Sequence, residues 1–434
     1  MRIPRLKLLL AFAVCAATAS PPAAAQSVPG DSLTASSLSV LLAAVRSNNP
    51  MLQAARVNAA ALGQREEQVS TLPDPTIMFT YQPFPVLTAR GTQRTQFRVE
   101  QAIPYPGKLG LRGSLAALAS DVASFDAATA EEELVVATKQ TYYDLYRVGR
   151  QQSLIRSFQL QIAEFEAVAT TQYTVGQGMQ QAILKAQLER NTLDNQAFVL
   201  TRTRRTLLER LSRLTNRRVT DDSADSAAVD LPQPPAMPPP DLLALALATR
   251  PEAGAVGAAG DRADVDIALA EMEYYPDFGV NLTYFDIGAA DAPPTANGQN
   301  ALAIGVAVRV PLQRGRLKAR LEEARLERQK IAYRQEAIET AFETEILDLS
   351  QQLTSDQDQL TLFKDALIPQ ATTTLEATLS AYTTGRTDFL NLLDAERMLF
   401  NLRWGYEEVY ARYLKTTAAL ERALGVSWLS ELIR

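Results

Sequence analysis

The chain has 434 residues, 47% of them hydrophobic, and a formal net charge of −6. This length and apolar content allow two or three ordinary domains or one elongated structure with a large core. The acidic balance argues against nucleic-acid binding. Because the sequence has no histidine and one cysteine, it offers no histidine general base and none of the usual zinc sites.

The first 25 residues have the pattern of a secretory signal peptide. Three basic residues precede a short apolar run, and Ala23-Ala24-Ala25 forms a small-residue cleavage site before Gln26. The lone cysteine, Cys15, lies inside this segment. Lipidation there is disfavoured, since the valine before it suits lipoprotein processing poorly. The sequence therefore predicts an exported chain whose mature form lacks cysteine.

Helical periodicity predicts the first structured region at about residues 38–69. The segment Leu72-Pro73-Asp74-Pro75 ends it, because proline lacks an N–H donor and disfavours helix in the residue before it. Two strands with alternating polar and apolar residues are predicted next, at 76–81 and 94–101, with 82–93 as the loop between them.

A very long helix is predicted from about residue 111 to 171. This span contains no proline and would extend about 90 Å at about 1.5 Å per residue. Its apolar residues recur at intervals of three, four and seven, which is typical of helices that pack side by side over a great length. The glycines at 176 and 178 end it, and a second helix at 179–214 is predicted to return antiparallel.

The second half of the chain repeats this plan. The two members of each matching pair of motifs are separated by nearly the same number of residues. The pairs are Asn49-Pro50 with Arg250-Pro251, Asp74-Pro75 with Tyr275-Pro276, and Tyr173-x-x-Gly176 with Tyr382-x-x-Gly385. The elements predicted after a linker at 221–240 are a helix pair at 242–273, strands at 278–285 and 302–310, a long helix at 317–381 that Pro369 should kink or break, and a last helix ending near 424. The predicted organisation is a signal peptide (1–25), a first repeat (26–220), the linker, a second repeat (241–425) and a tail (426–434).

The four short strands have two interpretations. They could form isolated hairpins on a helical rod, although a two-stranded hairpin alone is at best marginally stable in water. Alternatively, they could join the strands of other copies in a closed membrane barrel. Known membrane barrels need at least about 8 strands, so this second interpretation requires an oligomer. Aromatic residues near the strand ends favour it.

Several motifs make the sequence resemble the TolC-like outer-membrane efflux channels over almost the whole mature chain. The most specific are the two turns, Tyr173-x-x-Gly176 followed by Ile183-Leu-Lys-Ala-Gln187, and Tyr382-x-x-Gly385 followed by Leu392-Leu-Asp-Ala-Glu396. Leu72-Pro-Asp-Pro75 and the 103–112 segment look like the heavy-metal efflux branch. The resemblance implies a mainly α fold: a homotrimer whose 12-stranded barrel in the outer membrane continues into a long α-helical periplasmic tunnel.

The resemblance also implies site residues and partners. The turns would form the periplasmic tips that dock a membrane-fusion adaptor, which is fed by an inner-membrane pump, with the proton-driven type favoured. The docking residues would be Tyr173, Gly176, Leu184, Ala186, Tyr382, Gly385, Leu393 and Ala395. The pore constriction would fall on Asp388, Asn391 and Asp394, whose spacing of three places them on one helical face. Rings of acidic side chains commonly line cation pores.

The predicted function is thus that of a passive exit channel in a tripartite efflux system, with no catalytic residues, cofactor or bound metal. Two alternatives remain open at this stage. One is the outer-membrane component of a type I protein secretion system. The other is a periplasmic coiled-coil scaffold that conducts nothing. An enzyme is disfavoured because no set of nucleophile, base and orienting residue is visible.

Overall fold

The computed structural model describes residues 33–35, 37–176, 178–220, 239–289 and 298–426. The predicted signal peptide with Cys15 lies outside these residues, as do most of the predicted linker and all but the first residue of the predicted tail. Residues 239 and 240, assigned above to the linker, already belong to a helix.

The elements of the first half follow in chain order. They are β1 (Leu33–Thr34), α1 (Leu38–Asn48), α2 (Pro50–Gly63), α3 (Arg65–Ser70), β2 (Thr76–Thr88), β3 (Gly91–Ile103), α4 (Lys108–Thr174), α5 (Gln180–Thr215) and β4 (Val219–Thr220). Those of the second half are α6 (Pro239–Thr249), α7 (Pro251–Met272), β5 (Asp277–Gly288), β6 (Ala301–Arg309), α8 (Arg314–Leu362), a π-helical segment (Phe363–Leu367), α9 (Ile368–Thr383) and α10 (Phe389–Ala423). The molecule is mainly helical with a small sheet, as predicted; the two-repeat boundaries stay a prediction.

The prediction of a long loop between the first two strands was wrong. Residues 82–93 are almost entirely strand, and only Ala89 and Arg90 separate β2 from β3. Pro83 and Pro85 fall where the pairing register shifts between Tyr81 and Val86. Proline is tolerated there because the hydrogen-bond ladder to β3 is interrupted at this irregularity, so no N–H donor is missed.

All four long strands form one antiparallel sheet in the order β2-β3-β5-β6, while β1 and β4 form a separate parallel pair. Within the described residues, β2 and β6 each have one side without a strand neighbour. Cross-strand rows run through the whole sheet. Ile77 pairs with Val99, Val99 with Leu282 and Leu282 with Ile304.

Local chemistry explains where the helices begin. Asn49 caps α2, since its Oδ1 accepts from the N–H groups of Met51 (3.0 Å) and Leu52 (3.2 Å), and Pro50 takes the first helical position. Gly107 precedes α4 with φ of 97°, in the left-handed region that favours glycine. The 67-residue α4 then runs about 100 Å without interruption.

The long helix of the second half is interrupted just before Pro369, at the π-helical segment. A proline ring clashes with the carbonyl four residues earlier, here that of Asp365, which lies within that segment. The wider π turn moves this carbonyl away from its α-helical position, so the chain stays helical on both sides. The predicted interruption is therefore confirmed, a few residues upstream of the proline itself.

The long helix α4 is the axis on which the other elements pack. Near the sheet it contacts α2, α3 and α7, and farther along it contacts α5 and α10. One core cluster lies midway, where α6, α8 and α10 meet around Tyr143, Phe342 and Leu414. A second fills the far end around Ile155, Leu193 and Leu392. The sheet therefore lies at one end of the molecule and the two helical turns at the other.

Candidate functional site

Two tight turns form the far end of the molecule. Gly176 (φ of 76°) ends the turn after α4, and Gly385 (φ of 71°) ends the turn after α9. Their N–H groups donate to the carbonyls of Tyr173 (3.1 Å) and Tyr382 (3.0 Å). A Cβ at either glycine would meet nothing within 4 Å. Glycine is therefore required by the backbone conformation rather than by crowding.

Tyr382 joins the two turns. Its hydroxyl donates to Gln172 Oε1 (2.9 Å) on α4, and its ring packs edge-on against Phe389 on α10. Phe389 in turn makes an edge contact with Phe165 of α4. Burial raises the pKa of Tyr382. The tip is thus a packed aromatic unit.

The predicted docking residues divide into two groups. Tyr173 and Leu184 are about half exposed, and the turn glycines are also exposed. Four others are buried between helices: Ala186, Tyr382, Leu393 and Ala395. The structure thus gives the buried four a packing role, which a single helix pattern did not distinguish from an exposed one.

The three predicted constriction residues are not equivalent. Asp388 lies just before α10 as its N-cap, and its carboxylate accepts from the Asn391 N–H (3.0 Å). The Asn391 side chain donates to the Thr387 hydroxyl (3.0 Å). The Asp394 side chain is 75% exposed, and its only ion-pair contact among the described residues is a 4.0 Å approach to Arg397. Asp388 therefore shapes the helix start, and Asp394 keeps an exposed charge.

A groove between α9 and α10 contains two of these three residues. It is lined by Thr373, Thr374, Ala377, Thr378, Ala381, Thr387, Asn391, Asp394, Ala395 and Met398. Its polar atoms are hydroxyls, one carboxamide and one carboxylate. Such a wall suits hydrated cations and forms no enclosed binding pocket.

Sequence reasoning missed the ion pair that ties α10 to α5. The Arg397 guanidinium donates twice to Glu189 Oε2, once through Nε at 2.9 Å. Glu189 is 7% exposed. The two residues are 208 positions apart, so no spacing in one sequence could have paired them.

The described residues contain neither a metal-binding cluster nor a membrane-spanning helix. Among them, no group of three or more histidine, cysteine, aspartate or glutamate side chains is arranged to hold a metal ion. None of the described helices combines the length and apolar character that crossing a bilayer demands.

The sheet carries an extended exposed apolar surface. The exposed side chains that share one face include Ile77, Phe79, Tyr81, Phe97, Val99, Phe278, Val280, Leu282, Tyr284, Leu302, Ile304, Val306 and Val308. The opposite face is polar or small, as in the row of Glu100, Asn281 and Gly305. Soluble proteins rarely expose an apolar patch of this extent.

Comparisons with known proteins agree with this geometry. Residues 242–426 match the sequence profile of the outer membrane efflux protein family. The second half of the chain therefore carries the sequence pattern of that family. A curated relative, the cobalt-zinc-cadmium resistance protein CzcC of Cupriavidus metallidurans, is 27% identical over 195 residues. That match covers 44% of each chain, so it spans less than half of the relative's length.

Solved structures place the fold of this chain among the TolC-like channels. Crystal structures of CusC superpose with a TM-score of 0.75 at 16% identity, covering 90% of this chain and 92% of that one. The open-state MtrE channel of Neisseria gonorrhoeae gives 0.74 at 17% identity over 92% and 94% of the two chains. VceC of Vibrio cholerae gives 0.71 at 17% identity over 90% and 96%.

The matching family and the solved channels share a location and a class. This chain accordingly lies in the Gram-negative outer membrane and extends into the periplasm. The family whose profile it matches consists of channels rather than of enzymes.

Proposed function

We propose that this chain is the outer-membrane exit channel of a tripartite efflux system and conducts its cargo passively. The observation that carries the proposal is the sheet: one apolar face, one polar face, and two open edges, joined directly to helices about 100 Å long. An inner-membrane pump supplies the energy, and a periplasmic adaptor connects the two.

The open edges support a trimer. Four strands cannot close a membrane barrel, for which the known minimum is about 8. If β6 of one copy pairs with β2 of the next, three copies give a 12-stranded barrel with no unpaired edge. Its apolar face then meets lipid and its polar face lines the pore.

The helices support the same assembly. Leu184, Leu188, Phe198 and Val199 on α5 are all more than half exposed in the single chain. A second copy would cover this stripe and continue the ring of helices into a hollow tunnel. A neighbouring copy can cover the whole length of α5. An adaptor that docks at the tip would cover only one end of this helix.

At the tip, we propose that the adaptor contacts the exposed residues Tyr173 and Leu184 and the two glycine turns. The buried Ala186, Tyr382, Leu393 and Ala395 would hold the docking surface in shape. The constriction would fall on Asn391 and Asp394, with Asp388 fixing the start of α10. In a trimer, three exposed Asp394 carboxylates form an acidic ring that attracts cations.

The cargo class proposed is metal cations. The support is the likeness to the cobalt-zinc-cadmium resistance protein together with the acidic tip. The sequence has no histidine, and no metal cluster is found among the described residues. We therefore propose that the channel conducts metal ions without a dedicated binding site for them. Selection of the ion then belongs to the pump.

Single-channel recording in a planar bilayer tests the constriction. Asp394→Ala should weaken block by divalent cations, and so raise the conductance measured in their presence, because three negative charges leave the narrowest ring. Asp358→Ala, an exposed carboxylate of α8 far from the tip, is the matched control and should change neither. Equal effects of the two substitutions would contradict the assignment of Asp394.

The scaffold alternative is separated by simpler measurements. An exit channel requires detergent for extraction, shows a heat-modifiable band on gels and produces ion currents. A non-conducting coiled-coil scaffold remains in the periplasmic fraction without detergent and gives no current. The exposed apolar face of the sheet favours the first outcome.

A further inference from the structure

A band of basic and aromatic residues lies where the sheet turns into helices. Along the last strand and just beyond it, alternate residues from Leu302 to Leu312 are apolar and exposed. Immediately after them, α8 begins with Arg314, Arg316 and Lys318, all exposed. The apolar surface therefore gives way to positive charge within one turn of helix.

Tyrosines occupy the same level. Tyr275, 51% exposed, stacks on Tyr105 with ring centroids 4.8 Å apart. The Arg314 guanidinium lies 5.5 Å from the ring centroid of Tyr274. Tyrosine rings with one apolar and one polar end are enriched at membrane–water interfaces. Their position marks this level as the boundary of the hydrocarbon layer.

Two of the positive charges at this boundary have no acidic partner in the described part of the chain. Asp277 pairs with Lys108, with 2.7 Å between carboxylate and ammonium, and Glu273 lies 3.8 Å from Arg316. Arg314 and Lys318 have no ion-pair partner among the described residues. Two exposed cations are thus left beside the apolar surface.

We propose that Arg314 and Lys318, with Tyr274 and Tyr275, form a collar that binds the phosphate groups of anionic phospholipids in the periplasmic leaflet. This proposal rests on the proposed membrane-embedded trimer. Lipid is favoured as the occupant because the collar is continuous with the apolar face, so a headgroup can reach it while its acyl chains cover Leu312 and Val310. Binding fixes how deep the sheet lies in the membrane.

The same helix supplies a matched control. Arg325 and Arg334 are exposed, belong to α8 and have no ion-pair partner among the described residues. They lie about 16 and 24 Å farther along the helix than Arg314 and Lys318, respectively, beyond the reach of a headgroup. Removing two charges at either place changes the net charge equally.

Native mass spectrometry of the full-length trimer in equimolar phosphatidylglycerol and phosphatidylcholine provides the test. The unaltered protein should retain phosphatidylglycerol preferentially. The double variant R314Q/K318Q should lose about 25-fold of that preference, given that each basic residue near an anionic surface contributes about five-fold. The double variant R325Q/R334Q should keep it. Equal retention of phosphatidylglycerol by all three proteins would overturn the proposal.

Further measurements cover the remaining outcomes. If R314Q/K318Q fails to assemble, the single variant K318Q is measured instead and should lose about five-fold. Excess inorganic phosphate should not displace the lipid; displacement would show a general anion patch and overturn the lipid assignment. Loss of both lipids from every variant would contradict membrane embedding itself, whereas retention of both without preference would contradict only the collar.

Discussion

Glu132 is a half-buried residue whose Oε2 atom is fully buried and has no hydrogen-bond partner among the described residues. It lies on α4 beside a network in which Arg422 and Arg250 serve other carboxylates. Arg422 contacts Glu252 at 3.0 Å, and Arg250 contacts Glu345 at 2.8 Å. Burial and the nearby Glu252 charge raise the pKa of Glu132 to about 7, against the opposing influence of the two arginines.

This raised pKa predicts a pH-dependent stability. A carboxyl whose folded pKa exceeds its unfolded value of 4.5 favours folding below that value, and the gain is lost as pH rises through about 7. Glu132→Gln should therefore match the unaltered protein near pH 5 and exceed its thermal stability near pH 8. The expected gain is about 1–2 kcal/mol, below full conversion of the shift, because solvent screens a partly exposed group.

Calorimetric melting at the two pH values measures the difference, and the neighbouring Glu133→Gln is its control. Glu133 has a 62% exposed side chain and pairs with Arg422 at 3.4 Å, so its replacement should give no gain at the higher pH. A Glu132→Gln advantage of the same size at both pH values would contradict the assigned protonation.

Two glycines three residues apart on α7 provide a prediction at the scale of a single helix. A Cβ at Gly254 would lie 2.5 Å from Phe125 Cε1 of α4, whereas a Cβ at Gly257 would meet nothing within 4 Å. Gly254→Ala should destabilise the protein by about 1–3 kcal/mol through overpacking. Gly257→Ala should stabilise it by about 0.5–1 kcal/mol through helix propensity.

Denaturant unfolding of both glycine variants in detergent gives the comparison. The same change, glycine to alanine, should lower the free energy of unfolding at position 254 and raise it at position 257. A stabilising Gly254→Ala would mean that α4 and α7 pack less closely than the structure shows.

The elements differ in how far the sequence determines them. The helices were predictable because apolar periodicity, proline and glycine act locally, so α5 and α10 match their predicted bounds to within a few residues. The length of β2 was not predictable, because Pro83 and Pro85 look like loop residues until the break in the ladder to β3 is known. Such a break depends on the partner strand, which local sequence does not record.

The candidate site shows the same limit. The turns at Gly176 and Gly385 follow from local conformation and were found. Sequence reasoning did not find the burial of Leu393 or the Arg397–Glu189 ion pair, because both depend on helices that are distant in sequence. Asp388 caps α10, a role its position just before the helix favours on chemical grounds, and its place at the pore stays a prediction.

For the whole molecule, the two faces of the sheet predict opposite responses to charge. Ile304 is 79% exposed in the middle of the apolar face, and its neighbour Ala303 projects to the other side. Ile304→Lys should destabilise the membrane-inserted protein by about 2–4 kcal/mol, because a lysine would face hydrocarbon at the bilayer midplane. Ala303→Lys should be tolerated, since it would face the polar side.

Folding yield in lipid vesicles at graded urea concentrations measures this difference. The heat-modifiable band on gels reports the inserted fraction of each variant. Equal tolerance of the two lysines would contradict the assignment of the apolar face to lipid.

The unpartnered edges of β2 and β6 make the period before assembly hazardous. A newly exported subunit carries two rows of free backbone donors and acceptors beside a hydrophobic surface, which is a template for indiscriminate strand addition. Survival in transit then requires holding chaperones and swift encounter with sister copies. Overproduction beyond the capacity of these chaperones should yield fibrous or amorphous aggregates rather than additional functional pores.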